Sequence, residues 1–322
     1  MRVRGAGHAG RGRTHVLTPC LISLALLAAC AEPDAPRTTP RADTLSVPAG
    51  LEDALDGLEA EVLDVEGDTY AMVALEGVVV QWADLEGTVL NHVLGPVVEG
   101  GAEDSHFHPR ASSPAFGLMP PGTVTRQQSA DPRLLMVMNG AFFEAPGQPS
   151  TQLAFPISEN GLVVSGGSSP AGPGQPGAES RRWGQPLRAL ALDGAQVRVA
   201  EYDVVTGAPL GLGPFEEAVV SYAPSSHPTR TPNRFHVLGP VAADSSGASQ
   251  TLIIGTSDGS APIDSLSAFL ARLGVAPEHQ IALDGGASVY VWNRRAGTLA
   301  RPTAAGGHDP QHLPHVLTLR LR

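Results

Sequence analysis

Asp284 and Asn139 are the two side chains in this sequence best placed to do chemistry. Asp284 closes the apolar run Ile281, Ala282, Leu283 and is followed by Gly285, Gly286, Ala287 and Ser288. Asn139 closes the run 134–138 and is followed by Gly140, Ala141, Phe142, Phe143 and Glu144. A carboxylate at a strand end can act as nucleophile or general base. A carboxamide beside it can orient a reacting group, because it both donates and accepts hydrogen bonds. The neighbouring glycines allow positive φ and let a ligand approach without meeting a Cβ. Asp-Gly is also the commonest hairpin signal, so around Asp284 a plain turn reads as well as a site does. Two strand ends of one design are expected to meet in one cleft.

Positioning them requires strands. Apolar runs bounded by turn residues predict strands near 61–65, 70–75, 77–82, 134–138, 187–192, 197–199, 218–222, 235–239, 251–257, 281–283 and 289–292, with an alternating strand over 315–321. One helix is clear: Ile263, Leu266, Leu270 and Leu273 share a face, and Gly274 closes it. Glycine (37 residues) and proline (29) favour strands and turns over long helices. The expectation is an α+β fold: strand-rich, a mixed or antiparallel sheet, few helices, and a single catalytic domain over residues 51–322. The glycine- and proline-rich stretch 165–177 reads as a mobile loop.

Composition limits the partners. All 21 basic residues are arginine, against 32 acidic residues. Arg2, Arg4, Arg11 and Arg13 followed by the apolar run 16–29 read as a leader over residues 1–29. It ends in Leu27, Ala28, Ala29 and Cys30, which resembles a lipobox, so Cys30 is expected to carry a lipid and to begin a tether over residues 30–50. Loss of the leader removes four arginines and leaves 17 of the 21 basic residues, a net charge near −15. That charge excludes nucleic acid and anionic membrane as partners through basic patches. Membrane contact is expected through the lipid anchor alone, placing the protein, exported, in the bacterial cell envelope. Cys20 leaves with the leader, so no disulfide is expected.

Histidines offer little metal chemistry. His106 and His108 lack a third ligand, and His308, His312 and His315 are loosely spaced. No cofactor is expected, with a divalent metal left open. Arg230 and Arg234 could each grip a phosphate through the planar guanidinium fork, and a surface arginine is an equal reading. Gly255, Thr256, Ser257, Asp258 and Gly259 match the G-x-S-x-G elbow, and Asp284 with a C-terminal histidine completes a hydrolase order. Against an esterase built on Ser257 stands the interruption by Ser260, Ala261 and Pro262 before the helix.

Three blocks resemble the phosphodiester glycosidase family. The segment from Asn139 to Phe143 is similar to its Asn-Gly-Gly-Phe-Phe motif, and Leu283 to Ser288 to its Leu-Asp-Gly-Gly-Gly-Ser motif. The strand, Asp-Gly turn and helix over 252–274 is similar to the block between them. Ala141 and Ala287 stand where the family has glycine, and the family's Arg-Thr-Ala-Ile-Gly pattern is met loosely over 234–239. The resemblance implies hydrolysis of a sugar-1-phosphodiester in an envelope or extracellular glycan. It implies Asp284 as nucleophile or general base, Asn139 as orienter and Glu144 as a second carboxylate. It further implies Arg234, Gly140, Gly285, Gly286, Ser288 and Asp258 on the substrate, with Arg234 and the Gly285 and Gly286 amides holding phosphate. A glycan-binding lipoprotein without catalysis is the alternative from another class.

Overall fold

The computed structural model describes residues 47–102, 113–143, 150–165, 186–203, 208–209, 217–303 and 312–322. The leader, Cys30, most of the tether, His106, His108, Glu144, the 166–177 part of the glycine-rich stretch and His308 lie outside them.

Two antiparallel sheets dominate. The larger runs Glu61–Glu66, Tyr70–Leu75, Val78–Asp84, Thr251–Ser257, His236–Pro240, Ile281–Leu283, Glu217–Tyr222, Leu187–Asp193, Gln196–Asp203. The smaller runs Gly297–Ala300, Val291–Asn293, Leu134–Asn139, His315–Leu321, Thr88–Leu94. A third, small sheet joins Val97–Ala102, Ser113–Gly117 and Ser150–Gln152. The expected strand-rich, antiparallel sheet with few helices holds, while the α+β class gives way to a mostly β architecture. Every strand pairing among the described residues is antiparallel, and three α-helices accompany the sheets: α1 (Ala49–Leu55), α2 (Pro121–Gln128) and α3 (Ile263–Arg272).

The layers follow from which residues each strand turns inward. Met72, Ile254, Ile281 and Leu283 of the larger sheet meet Met136, Met138, Leu317 and Leu319 of the smaller one in a shared core. The outer face of the larger sheet, including Val80, Val237, Ile253 and Ala282, is covered by Leu51 and Leu55 of α1 and by Ile263, Leu266 and Leu270 of α3. Val137 and Val316 on the outer face of the smaller sheet pack with Val124 of α2. Leu134–Asn139 is therefore covered on both faces, which is why its sequence is continuously apolar instead of alternating. Its six residues are all buried.

Helix α3 ends as its sequence indicates. Gly274 takes φ +89°, and the Val275 N–H reaches back to the Leu270 carbonyl at 3.0 Å. Below the helix, Gly255 explains part of the apparent elbow. A Cβ there would lie 2.5 Å from Leu270 Cδ1 and 3.1 Å from Leu266 Cδ1, so glycine lets α3 approach the sheet. Gly239 on the adjacent strand is tighter, because its Cβ would stand 2.2 Å from the backbone carbonyl oxygen of His279.

These contacts rank two substitutions. Gly255→Ala meets the ends of flexible leucines and should cost about 1–3 kcal/mol, typical of overpacking. Gly239→Ala meets backbone and should cost more. Urea unfolding of both variants measures the order, and a Gly239→Ala protein as stable as wild type would contradict the packing described.

Candidate active site

The chain crosses from one sheet to the other immediately after Asp284. Leu283 ends a strand of the larger sheet, and Val291 begins one in the smaller sheet, so the 284–290 segment is a crossing and not a hairpin. Asn139 fastens this crossing. Its Nδ2 donates to the Asp284 carbonyl at 2.7 Å, and its Oδ1 accepts the Tyr290 N–H at 2.8 Å. The same Oδ1 lies 2.7 Å from His236 Nε2. An oxygen that accepts a backbone N–H can only accept from the imidazole, so His236 carries its proton on Nε2 and takes the Thr256 hydroxyl at Nδ1, 2.8 Å away. The two strand ends that the sequence pairs are thus brought together, through a histidine whose place opposite Leu283 and Thr256 no local pattern signals.

Asp284 sits at the centre of this arrangement. Its N–H donates to the Gly140 carbonyl at 3.1 Å, and its Oδ1 accepts the Gly285 N–H at 3.0 Å. Oδ2 is buried without a hydrogen-bond partner among the described residues. Burial pushes the carboxyl up to about 7, against the Ser288 hydroxyl and the Gly285 amide, which pull the other way. The Ser288 hydroxyl is near enough to lower the value, yet it completes no hydrogen bond to Oδ2. A carboxyl poised near neutrality can give and take a proton at physiological pH.

The glycines have a different role from the one expected. A Cβ on Gly285 would lie 2.6 Å from the Arg234 carbonyl oxygen, and Gly286 takes φ +61°. The Gly285 N–H is held by the carboxylate of Asp284, and the Gly286 N–H by the Arg234 carbonyl at 2.8 Å. Both amides are committed within the turn, so neither is open to cradle a phosphate. Arg234 braces the same turn. Its Nε donates to the Gly286 carbonyl at 3.1 Å, Nη1 to the Arg301 carbonyl at 2.8 Å and Nη2 to the Thr303 hydroxyl at 3.3 Å. Among the described residues three of its five N–H groups are engaged, which leaves two. Arg230 pairs with Asp264 of α3 and donates to the Pro224 carbonyl.

Two further expectations are corrected. The Ser257 hydroxyl accepts the Phe235 N–H at 3.0 Å and donates to the Asn233 carbonyl at 3.2 Å. It is buried with both bonds to backbone, and no histidine among the described residues is seen to bond it, so it is not held as an activated esterase nucleophile would be. Asp258 is exposed and caps its own turn through the Ser260 N–H at 2.8 Å, beside the Gly77 hairpin, while the adjoining Gly259 lies against Arg234.

His315 is the second histidine the sequence left unassigned. Its ring fills the space a side chain on Gly140 would take, with Nδ1 2.3 Å from the position of that Cβ. Nδ1 accepts the Ala141 N–H at 2.8 Å, which puts the ring proton on Nε2, directed at His92 Nδ1, 3.0 Å away. His92 Nε2 then faces the Glu217 carboxylate at 3.3 Å. Burial holds both histidines neutral: His92 is pushed down to about 4 and His315 well below its ordinary value. Burial likewise lowers His236 to about 3, with the Arg234 charge adding to it. Among the described residues no group of three or more His, Cys, Asp or Glu is arranged to hold a metal ion.

The fold and site define a class: a strand-dominated two-sheet protein with a buried, near-neutral carboxyl at the crossing between sheets. No protein-family model matches the chain, and no curated protein matches it. Solved structures resemble it distantly. One is the zebrafish N-acetylglucosamine-1-phosphodiester alpha-N-acetylglucosaminidase catalytic domain auto-inhibited by its pro-peptide, at 15% identity over 82% of this chain and 84% of that one, with a TM-score of 0.47. A hypothetical protein from Synechocystis matches at 14% identity, covering 82% of this chain and 61% of that one, with a TM-score of 0.36. A candidate exported protein from Burkholderia pseudomallei matches at 14% identity, covering 78% and 74%, with a TM-score of 0.40. Among the described residues no helix is long and apolar enough to cross a membrane.

The raised carboxyl has a sign that stability can read. Its folded pKa of about 7 lies above the ordinary value of 3.8, so its contribution is full at low pH and is lost as pH rises toward 7. The three buried histidines act oppositely, losing stability as pH falls below 6.5. The difference between wild type and Asp284→Asn removes the histidine contributions apart from their coupling to Asp284, chiefly that of His236, which shares the Asn139 carboxamide. The variant should gain up to about 4 kcal/mol on wild type between pH 4 and pH 8 in urea titrations. A pH-independent difference would mean that Asp284 titrates normally.

Proposed function

We propose that the protein hydrolyses a sugar-1-phosphodiester, with Asp284 as its essential carboxylate. The observation that carries this is Asp284 Oδ2, buried without a partner on a carboxyl near neutrality. A buried acceptor left open in the free protein suits one that a substrate or attacking water fills. The resemblance of the Asn139 and Asp284 blocks to the phosphodiester glycosidases supplies the substrate class.

In the proposed reaction the bond between the anomeric carbon and the phosphate oxygen breaks. Water oxygen bonds to that carbon, and the phosphate monoester leaves with the electron pair. Phosphate is a good leaving group, so acid assistance is dispensable. Asp284 either accepts a proton from the water or attacks the carbon first, and both routes require it ionised. Asn139 contributes by fixing the Asp284 backbone. The two uncommitted N–H groups of Arg234 suit the phosphate oxygens. With so acidic a chain, this local cation offsets an overall field that repels the substrate. Glu144 would complete a two-carboxylate mechanism, and Gly140 and Ser288 would border the substrate. Lipid anchoring at Cys30 would place this activity at the cell envelope.

Release of free N-acetylglucosamine from the methyl diester of N-acetylglucosamine-1-phosphate tests the reading, with and without chelator. Wild type should release it, with the rate rising through about pH 7 as Asp284 ionises. Asp284→Asn should lose at least about 100-fold. Hydrolysis within a few-fold of wild type in the variant would remove Asp284 from the mechanism.

A further inference from the structure

The carboxyl of Asp284 has one oxygen left to act, and that oxygen is hard to reach. Oδ1 is taken by the Gly285 N–H, and Oδ2 is buried. A general base must lie within hydrogen-bond reach of the proton it removes, or be bridged to it. Water arriving from the surface therefore needs a carrier to Oδ2.

Ser288 stands where a carrier is needed. Residues 285–288 are half-buried, whereas Val289 and Tyr290 are buried, so Ser288 is the last residue of the crossing with substantial surface. Gly286, at φ +61°, opens the 3-10 turn Gly286–Ser288, and the Ser288 N–H returns to the Gly285 carbonyl at 3.2 Å. The Thr303 N–H holds the Ala287 carbonyl at 2.8 Å, so the turn is pinned at two places. Ser288 is thus folded back onto Gly285, whose own N–H lies on Asp284 Oδ1. Another turn in the protein shows what a purely structural serine does here. In the 3-10 turn Pro224–Ser226 the Ser226 hydroxyl bonds the Ala223 carbonyl, three residues back, at 3.1 Å. Among the described residues Ser288 makes no such bond, and the Asp284 carboxyl is the one group its hydroxyl is seen to act on. That contact falls short of a hydrogen bond to Oδ2 in the free protein. Catalytic contacts commonly tighten only when substrate binds.

We propose that Ser288 is a catalytic residue: its hydroxyl passes a proton of the attacking water to Oδ2 of Asp284. A hydroxyl suits the task, since it has one donor and two acceptor sites. As the water oxygen bonds to the anomeric carbon, a water proton goes to Ser288 Oγ and the Ser288 hydroxyl proton goes to Oδ2. The phosphate monoester leaves with the electron pair of the broken carbon–oxygen bond. Asp284 then returns the proton to solvent by the same path, and both side chains end as they began. On this route Asp284 is a base and not a nucleophile, because a buried oxygen does not reach the anomeric carbon. Water attacks once, so the sugar is released with its anomeric configuration inverted. The inference rests on the reading of the site as one that hydrolyses sugar-1-phosphodiesters.

The experiment compares wild type, Ser288→Ala and Ser288→Thr, each with a thermal melt. Activity is release of N-acetylglucosamine from the methyl diester of N-acetylglucosamine-1-phosphate. Ser288→Ala should melt with wild type, keep KM within about twofold and lose about 100-fold in kcat, the size of a general-base contribution. Ser288→Thr, which restores a hydroxyl, should recover most of that rate. Proton NMR during wild-type turnover should show the inverted anomer first. Carbon-13 NMR should find the Asp284 carboxyl titrating at about 7 in wild type and higher in Ser288→Ala, where the hydroxyl that lowers it is gone. Wild-type turnover with Ser288→Ala within about threefold, or first release of the retained anomer, overturns the relay and leaves the proposed function standing. An Asp284 titration unmoved by Ser288→Ala does the same, since the hydroxyl then does not touch the carboxyl. Absence of release by wild type overturns both.

Discussion

The carboxamide of Asn139 is the interaction on which the site depends. One side chain from the smaller sheet holds the Asp284 carbonyl, the Tyr290 amide and the His236 ring at once. Asp284 and His236 belong to the larger sheet's side of the crossing, and Tyr290 leads into the smaller sheet. Removing the carboxamide would leave a buried N–H, a buried carbonyl and a buried imidazole without partners together, and each such loss costs about 1–3 kcal/mol. An amide suits the position because it offers a donor and an acceptor without charge. A carboxylate there would stand beside Asp284, repel it and drive its pKa still higher.

The neutrality of the surroundings accounts for the state of Asp284. Three buried histidines lie on or beside the two sheet ends, and all are held neutral by burial. None supplies a positive charge that would bring the carboxyl back to its ordinary range. Arg234 is the nearby cation, and its guanidinium points into the turn carbonyls and the 301–303 segment instead of at the carboxylate. The site is thus apolar and hydrogen-bonded at its base, with the carboxyl of Asp284 set near neutrality by desolvation. That condition is destabilising for the fold above neutral pH, and proteins commonly tolerate such a condition where a group works.

The glycines show how one residue type serves unlike ends. Gly140 makes room for the His315 ring, Gly255 for helix α3, and Gly285 for the Arg234 carbonyl, while Gly286 supplies a left-handed turn. In each case what the missing Cβ admits is protein. The G-x-S-x-G match dissolves for the same reason: Gly255 serves helix packing and Ser257 serves backbone bonding.

Although it missed Thr88–Leu94, Gly297–Ala300 and the three strands of the small sheet, the sequence by itself determined most strands of the larger sheet, the amphipathic helix with its Gly274 stop, and the pairing of Asn139 with Asp284 as strand ends beside glycine. These are short-range properties, written in apolar runs, helical spacing and turn residues. Which strands share a sheet was decided only by tertiary structure, because antiparallel pairing between Leu134–Asn139 and His315–Leu321 joins residues far apart in the chain. The hairpin reading of Asp284 and Gly285 failed for that reason: local turn chemistry is the same whether the next strand returns to its own sheet or crosses to another. His315 was weighed only as a metal ligand, and His236 and His92 were invisible as site residues, since each gains its meaning from a partner on a distant strand. So was the state of Asp284, because a carboxyl's pKa is set by desolvation, and desolvation exists only once the sheets have closed over it.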